Sequence, residues 1–99
     1  MHVYEASEWK SPTGKWYVAD TSDLGNDSAA WWIPAKIFNL SFEDYIDMLL
    51  NKYHATIDGW YPKSNNGKSL LLFSFVKYND AHQYLLDVNR IARNKNWTI

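Results

Sequence analysis

The stretch Leu70-Leu-Leu-Phe-Ser-Phe-Val76 constrains this chain more than any other. Side chains on a strand alternate between its faces. Leu71, Phe73 and Phe75 therefore share one face, and Leu70, Leu72, Ser74 and Val76 share the other. Both faces begin apolar. A strand of this kind must be covered on two sides, which predicts a central position.

Two helical stripes supply the cover. Phe42, Tyr45, Ile46, Leu49, Leu50 and Tyr53 fall at the spacing of one helix face. Ser41 suits the N-cap, with Asp44 in the place of a capping-box acid, and Glu43 and Asp44 favour the positive end of the dipole. Ala81, Tyr84, Leu85, Val88, Ile91 and Ala92 form the second stripe, capped by Asn79 or Asp80.

The remaining strands follow from composition and punctuation. Residues 2–9 and 15–20 are rich in aromatic and β-branched residues and flank the turn Lys-Ser-Pro-Thr-Gly-Lys, which reads as a hairpin. His54–Tyr61 reads as a further strand, joined by a polar turn to Leu70–Val76. Trp31-Trp32-Ile33 reads as a short strand closed by Pro34, although Pro34 also suits the opening of a helical turn. The C-terminal Asn-Trp-Thr-Ile reads as a tail or a last strand. The expected fold is α+β: an antiparallel four- to five-stranded sheet with two helices on one face, in the order ββ(β)αββα. Both halves run aromatic, polar turn, Gly-Lys, strand, helix, which outlines a ββα pseudo-repeat. Residues 1–99 make a single domain.

A sheet covered on one face leaves the other to solvent. The chain carries six Trp, seven Tyr and four Phe. A core of this size cannot bury them all, so some aromatic side chains stand at the surface, where Tyr and Trp favour contacts. Trp31 and Trp32 are adjacent, and on an extended chain adjacent side chains diverge, so one of the pair is expected outside. Trp9 and Trp60 lie at strand ends or beside loops.

Charge is divided. Residues 1–50 hold three Lys and eight Asp or Glu, whereas residues 51–99 hold seven Lys or Arg and three Asp. The acidic half, with Asp20, Asp23 and Asp27 in or beside one loop, would steer toward a basic partner. The basic half offers Lys63, Lys68, Lys77, Arg90, Arg93 and Lys95, which could contact phosphates while Trp60 and Tyr61 stack bases.

Catalysis finds little support. The absence of cysteine excludes a disulfide scaffold and Cys-ligated metals. His2, His54 and His82 do not pair at metal-binding spacing, and the aspartate loop lacks the EF-hand pattern. Glu5 and Glu8 are expected on opposite faces of a strand. His54 and Asp58 share a face without touching. Ser64-Asn-Asn-Gly-Lys-Ser69 ends like a phosphate-binding loop, but a strand follows it where the chemistry needs a helix. No enzyme activity, cofactor or metal is expected. No stretch is long and apolar enough for a membrane. The opening residues lack a signal-peptide pattern, and a cytoplasmic location is expected.

The expected function is protein binding, with Trp31, Trp32, Trp9, Trp60, Asp20, Asp23 and Asp27 as contact residues and a homodimer as one form of partnership. The alternative is single-stranded nucleic-acid binding through the basic half. A cysteine-free, aromatic-rich chain of 99 residues with an acidic part is similar to many small phage-encoded accessory proteins, including inhibitors of host defences of the anti-CRISPR kind. That resemblance is one of composition. It implies a viral protein that inhibits by binding.

Overall fold

The computed structural model describes residues 3–20, 32–61 and 70–97. In chain order their elements are β1 (Ala6–Lys10), β2 (Trp16–Asp20), α1 (Trp32–Ile37), α2 (Phe42–Asn51), β3 (Thr56–Tyr61), β4 (Leu70–Ser74) and α3 (Tyr78–Asn94). The class is α+β with antiparallel pairing.

The single sheet expected of the strands is instead two two-stranded sheets, β1–β2 and β3–β4. They meet at one bridge, where Trp16 and Phe75 exchange N–H···O bonds, each 2.8 Å. Pairing does not spread from that point. Phe75 already lies beyond the end of β4, and α3 begins three residues later. Two-stranded ribbons also twist strongly, which works against a long shared edge. A Lys15–Asp58 ion pair of 3.3 Å adds one exposed link between the hairpins. The β1–β2 turn is closed by Gly14, whose φ of 89° suits glycine alone, and whose N–H donates to Ser11 O at 2.9 Å. The register of β3 shifts between Ile57 and Gly59, and the extra residue of that bulge is Asp58, the partner of Lys15.

Among the described residues three helices stand where two were expected. The strand predicted at Trp31–Ile33 is corrected: Trp32 and Ile33 open α1. Pro34 falls in the first turn, where a missing N–H removes no helical bond. Trp31 lies outside the described residues. Asn39 ends α1 with a φ of 58°, and the Leu40 N–H returns to Ala35 O at 2.9 Å.

The two amphipathic stripes are borne out. Ser41 caps α2, its hydroxyl accepting from the Asp44 N–H at 3.2 Å. Tyr45, Leu49 and Tyr53 are buried, while Leu50 is 41% exposed. On α3 the buried residues include Ala81, Tyr84, Leu85, Val88 and Ala92. Its cap is not Asn79 or Asp80 but Lys77, which makes no side-chain cap bond, because the helix starts one residue earlier than the polar signal.

β4 turns Leu71 and Phe73 into the core as the alternation requires, and Phe75, just past its end, continues the row. Tyr45, Tyr53, Tyr84, Phe75, Ile37 and Leu49 fill its centre. The buried phenols are satisfied from inside. Tyr45 and Tyr84 share an O–H···O bond of 2.7 Å, and the Tyr53 hydroxyl donates to Asp87 Oδ2 at 2.6 Å. Gln83 Nε2 and Arg90 Nη2 donate to the other Asp87 oxygen at 3.2 and 3.4 Å. On the same strand, the Ser74 hydroxyl is buried with no hydrogen-bond partner among the described residues.

Candidate binding surface

The bridge to Phe75 fixes which way each backbone group of the first hairpin points. Trp16 turns its N–H and C=O toward Phe75. Backbone groups in an antiparallel pair alternate in direction. Tyr17 and Ala19 therefore face β1, opposite Trp9 and Ser7. Ala6, Glu8 and Lys10 must turn their backbone groups away from β2.

These outward groups are treated unequally. The Ala6 N–H donates to Asn89 Oδ1 at 2.8 Å, and Asn89 Nδ2 donates to Ala6 O at 3.0 Å. The amide of α3 thus acts as a one-residue strand. Just before β1, the Tyr4 N–H donates to Trp97 O at 2.8 Å. Among the described residues, no hydrogen bond reaches the outward N–H or C=O of Glu8 or Lys10. The edge of β1 is closed at its start and open at its end.

Beside that edge lies a groove of about 500 Å³ between residues 3–8 and α3. Ala6, Leu85 and Leu86 give it an apolar lining, and Leu86 is 51% exposed. Glu5 and Glu8 stand on the strand side, His82 and Arg93 on the helix side. Glu5 precedes β1 and Glu8 lies within it, and both border the groove along with the residues between them. Among the described residues Glu5, Glu8 and Arg93 form no ion pair.

The aromatic candidates occupy separate places. Trp9 stacks on Tyr17 across the first hairpin, centroids 5.0 Å apart and planes at 19°. Both lie on the face that alternation turns away from the buried Val18. Trp60 is 40% exposed and leans on Phe42 at 4.6 Å. Trp32 is half-buried on α1. Trp16, which the sequence did not single out, packs edge-on against Tyr78 at 4.9 Å, and Tyr78 stacks on His82 at 5.3 Å. Asp20 ends β2 opposite Ala6, and Trp31, Asp23 and Asp27 lie outside the described residues.

The basic candidates are dispersed. Arg90 is held toward Asp87 at 3.4 Å, and Lys95 Nζ donates to Ile37 O at 3.0 Å, closing the end of α1. Arg93 lines the groove facing two glutamates, and Lys77 is exposed at the start of α3. Lys63 and Lys68 lie outside the described residues.

The histidine and carboxylates weighed for chemistry do not converge. His54 precedes β3 with a φ of 57° and pairs with Asp80 at 3.5 Å, whereas Asp58 pairs with Lys15. Among the described residues, no group of three or more His, Asp or Glu could hold a metal ion. No described helix is long and apolar enough to cross a membrane. Burial pushes the Tyr45 and Tyr84 phenols well above their ordinary range, and burial and the Asp87 carboxylate push Tyr53 up. These hydroxyls stay protonated and serve in structural hydrogen bonds. Nothing local in the chain points to Asn89, because its contact with Ala6 spans 83 positions.

No protein-family model matches the chain, and no curated protein or solved structure matches it either.

Proposed function

We propose that the protein is a non-enzymatic protein-binding domain. The observation that carries this reading is the set of large side chains held at the surface by fixed neighbours. Trp60 leans on Phe42, Trp9 stacks on Tyr17, and Tyr78 lies 41% exposed between Trp16 and His82. Rings pinned from one side lose little further freedom on binding and present broad apolar area, as hot-spot residues do. Asp20, Asp23 and Asp27 add negative charge that would draw a basic partner. An inhibitor of the phage-accessory kind would work this way, by occupying a surface its target needs.

The competing reading, single-stranded nucleic-acid binding, draws less support. Arg90 and Lys95 are engaged within the protein, and Arg93 faces Glu5 and Glu8 across the groove. Two measurements separate the readings. Capture of a partner from host lysate, followed by titration, should weaken at least tenfold, about 1.4 kcal/mol, when Trp9, Trp31, Trp32 or Trp60 is changed to Ala. Unchanged affinity in all four variants removes the anchor role. Salt-dependent binding of labelled oligonucleotides, lost in Arg90→Ala and Arg93→Ala, would put nucleic acid in its place.

A further inference from the structure

We infer that the open end of β1 is a self-pairing edge, and that its occupant is β1 of a second copy of this chain in antiparallel alignment. The inference takes from the preceding reading only that Trp9 is a contact residue.

The register follows from what the edge offers. Among the described residues of this edge, Glu8 and Lys10 present outward backbone groups with no partner, since Ala6 is bonded to Asn89 and the Ser11 N–H donates to Lys15 O at 2.8 Å. A two-fold axis at Glu8 would set Glu8 against Glu8 of the other copy and would need the occupied Ala6. An axis at Lys10 would set Lys10 against Lys10 and bring Glu8 opposite Pro12, which has no N–H. An axis at Trp9 satisfies every condition. Glu8 of each copy then exchanges N–H···O bonds with Lys10 of the other, and the two side chains meet as an opposite-charge pair.

Trp9 completes the fit on the other face. Its own backbone groups face β2, so Trp9 of one copy meets Trp9 of the other as a non-hydrogen-bonded pair, the closer of the two antiparallel spacings. Each indole is already stacked on Tyr17 at 5.0 Å. The result is a continuous row, Tyr17–Trp9 and then Trp9–Tyr17 of the second copy, across a four-stranded sheet. Charged residues on an edge ordinarily discourage pairing. Here Glu8 and Lys10 reject the alignments centred on either charge and accept the one centred on Trp9.

Light scattering and sedimentation of the purified full chain from micromolar to millimolar concentration test this directly. The wild-type chain is expected to dimerise. Glu8→Lys and Lys10→Glu, each made alone, place like charges opposite each other and should weaken dimerisation about tenfold or more. Glu8→Lys/Lys10→Glu in one chain restores opposite pairs and should dimerise again. An equimolar mixture of the two single variants should form the heterodimer, which also shows that both are folded. A wild-type chain that stays monomeric throughout overturns the proposal. So does a dimer indifferent to the charge swaps, since it must be built elsewhere. Either result leaves the lysate partner and its tryptophan dependence untouched, so the two proposals fail separately.

Discussion

The two hairpins are made of similar residues and put to opposite uses. β4 sends Leu71, Phe73 and Phe75 into the core, and its end is held between β3 and the Trp16 bridge. β1 buries Ala6 but keeps Ser7, Glu8 and Trp9 only partly covered, with its outer edge held by a single asparagine. Both hairpins are rich in aromatic rings. What separates them is the strand that carries the buried rings. Tyr84 of α3 packs on Phe73 and Phe75, while the helix runs nearer to β1 and β2, where Asn89 bonds Ala6. β4 is thereby core. β1 is buried at Ala6 and partly covered from Ser7 to Trp9.

The sharpest way to break that contrast is to remove a ring from each. Phe75→Ala empties a fully buried position beside Tyr84 and Phe73 and should cost about 3–5 kcal/mol in urea unfolding. Trp9→Ala removes a half-covered ring and its stack on Tyr17, and should cost about 1 kcal/mol. Equal losses would mean that the first hairpin is as structural as the second.

Next comes the phenol pair beneath β4. Tyr84→Phe leaves the Tyr45 hydroxyl buried without its partner and should cost about 1–3 kcal/mol, with part regained in Tyr45→Phe/Tyr84→Phe. The pH dependence has a definite sign. Both phenols keep their proton in the folded protein at a pH where a free phenol, at 10.0, has lost it. Their contribution is complete below that value and is lost as the pH rises above it, so stability should fall on the alkaline side. The double Phe variant should resist alkaline unfolding to a higher pH than the wild type, monitored by circular dichroism.

The smallest effect belongs to the edge. Asn89→Ala frees both backbone groups of Ala6, and should cost about 1 kcal/mol because water in the groove can replace part of the bonding. Hydrogen exchange should quicken first at the Ala6 amide while the β4 amides stay protected. Simultaneous loss of protection in both hairpins would show that they unfold as one unit.

Much of this architecture is legible in the sequence. The inward face of β4, the buried stripes of α2 and α3, the Ser41 cap and the Gly14 turn all depend on residues a few positions apart. Alternation, helical period and capping are local properties, and the chain carries them wherever it folds. The strand reading at Trp32–Ile33 failed for an instructive reason. A proline that suits the end of a strand suits the first turn of a helix equally well, and α1 holds Pro34 there. Glu8, Trp9 and Lys10 were visible as an alternating charge–ring–charge triplet, yet nothing nearby said that they form an edge.

The sequence by itself determined which side chains each helix and strand would bury. Only the tertiary structure decided how the strands group, where the sheet is interrupted and which backbone groups are left over. Those outcomes rest on contacts between distant segments, Trp16 with Phe75 and Ala6 with Asn89, whose closure depends on the packing of the whole chain around α3. A free strand edge is what remains after every other pairing has been made, so no local pattern can announce it.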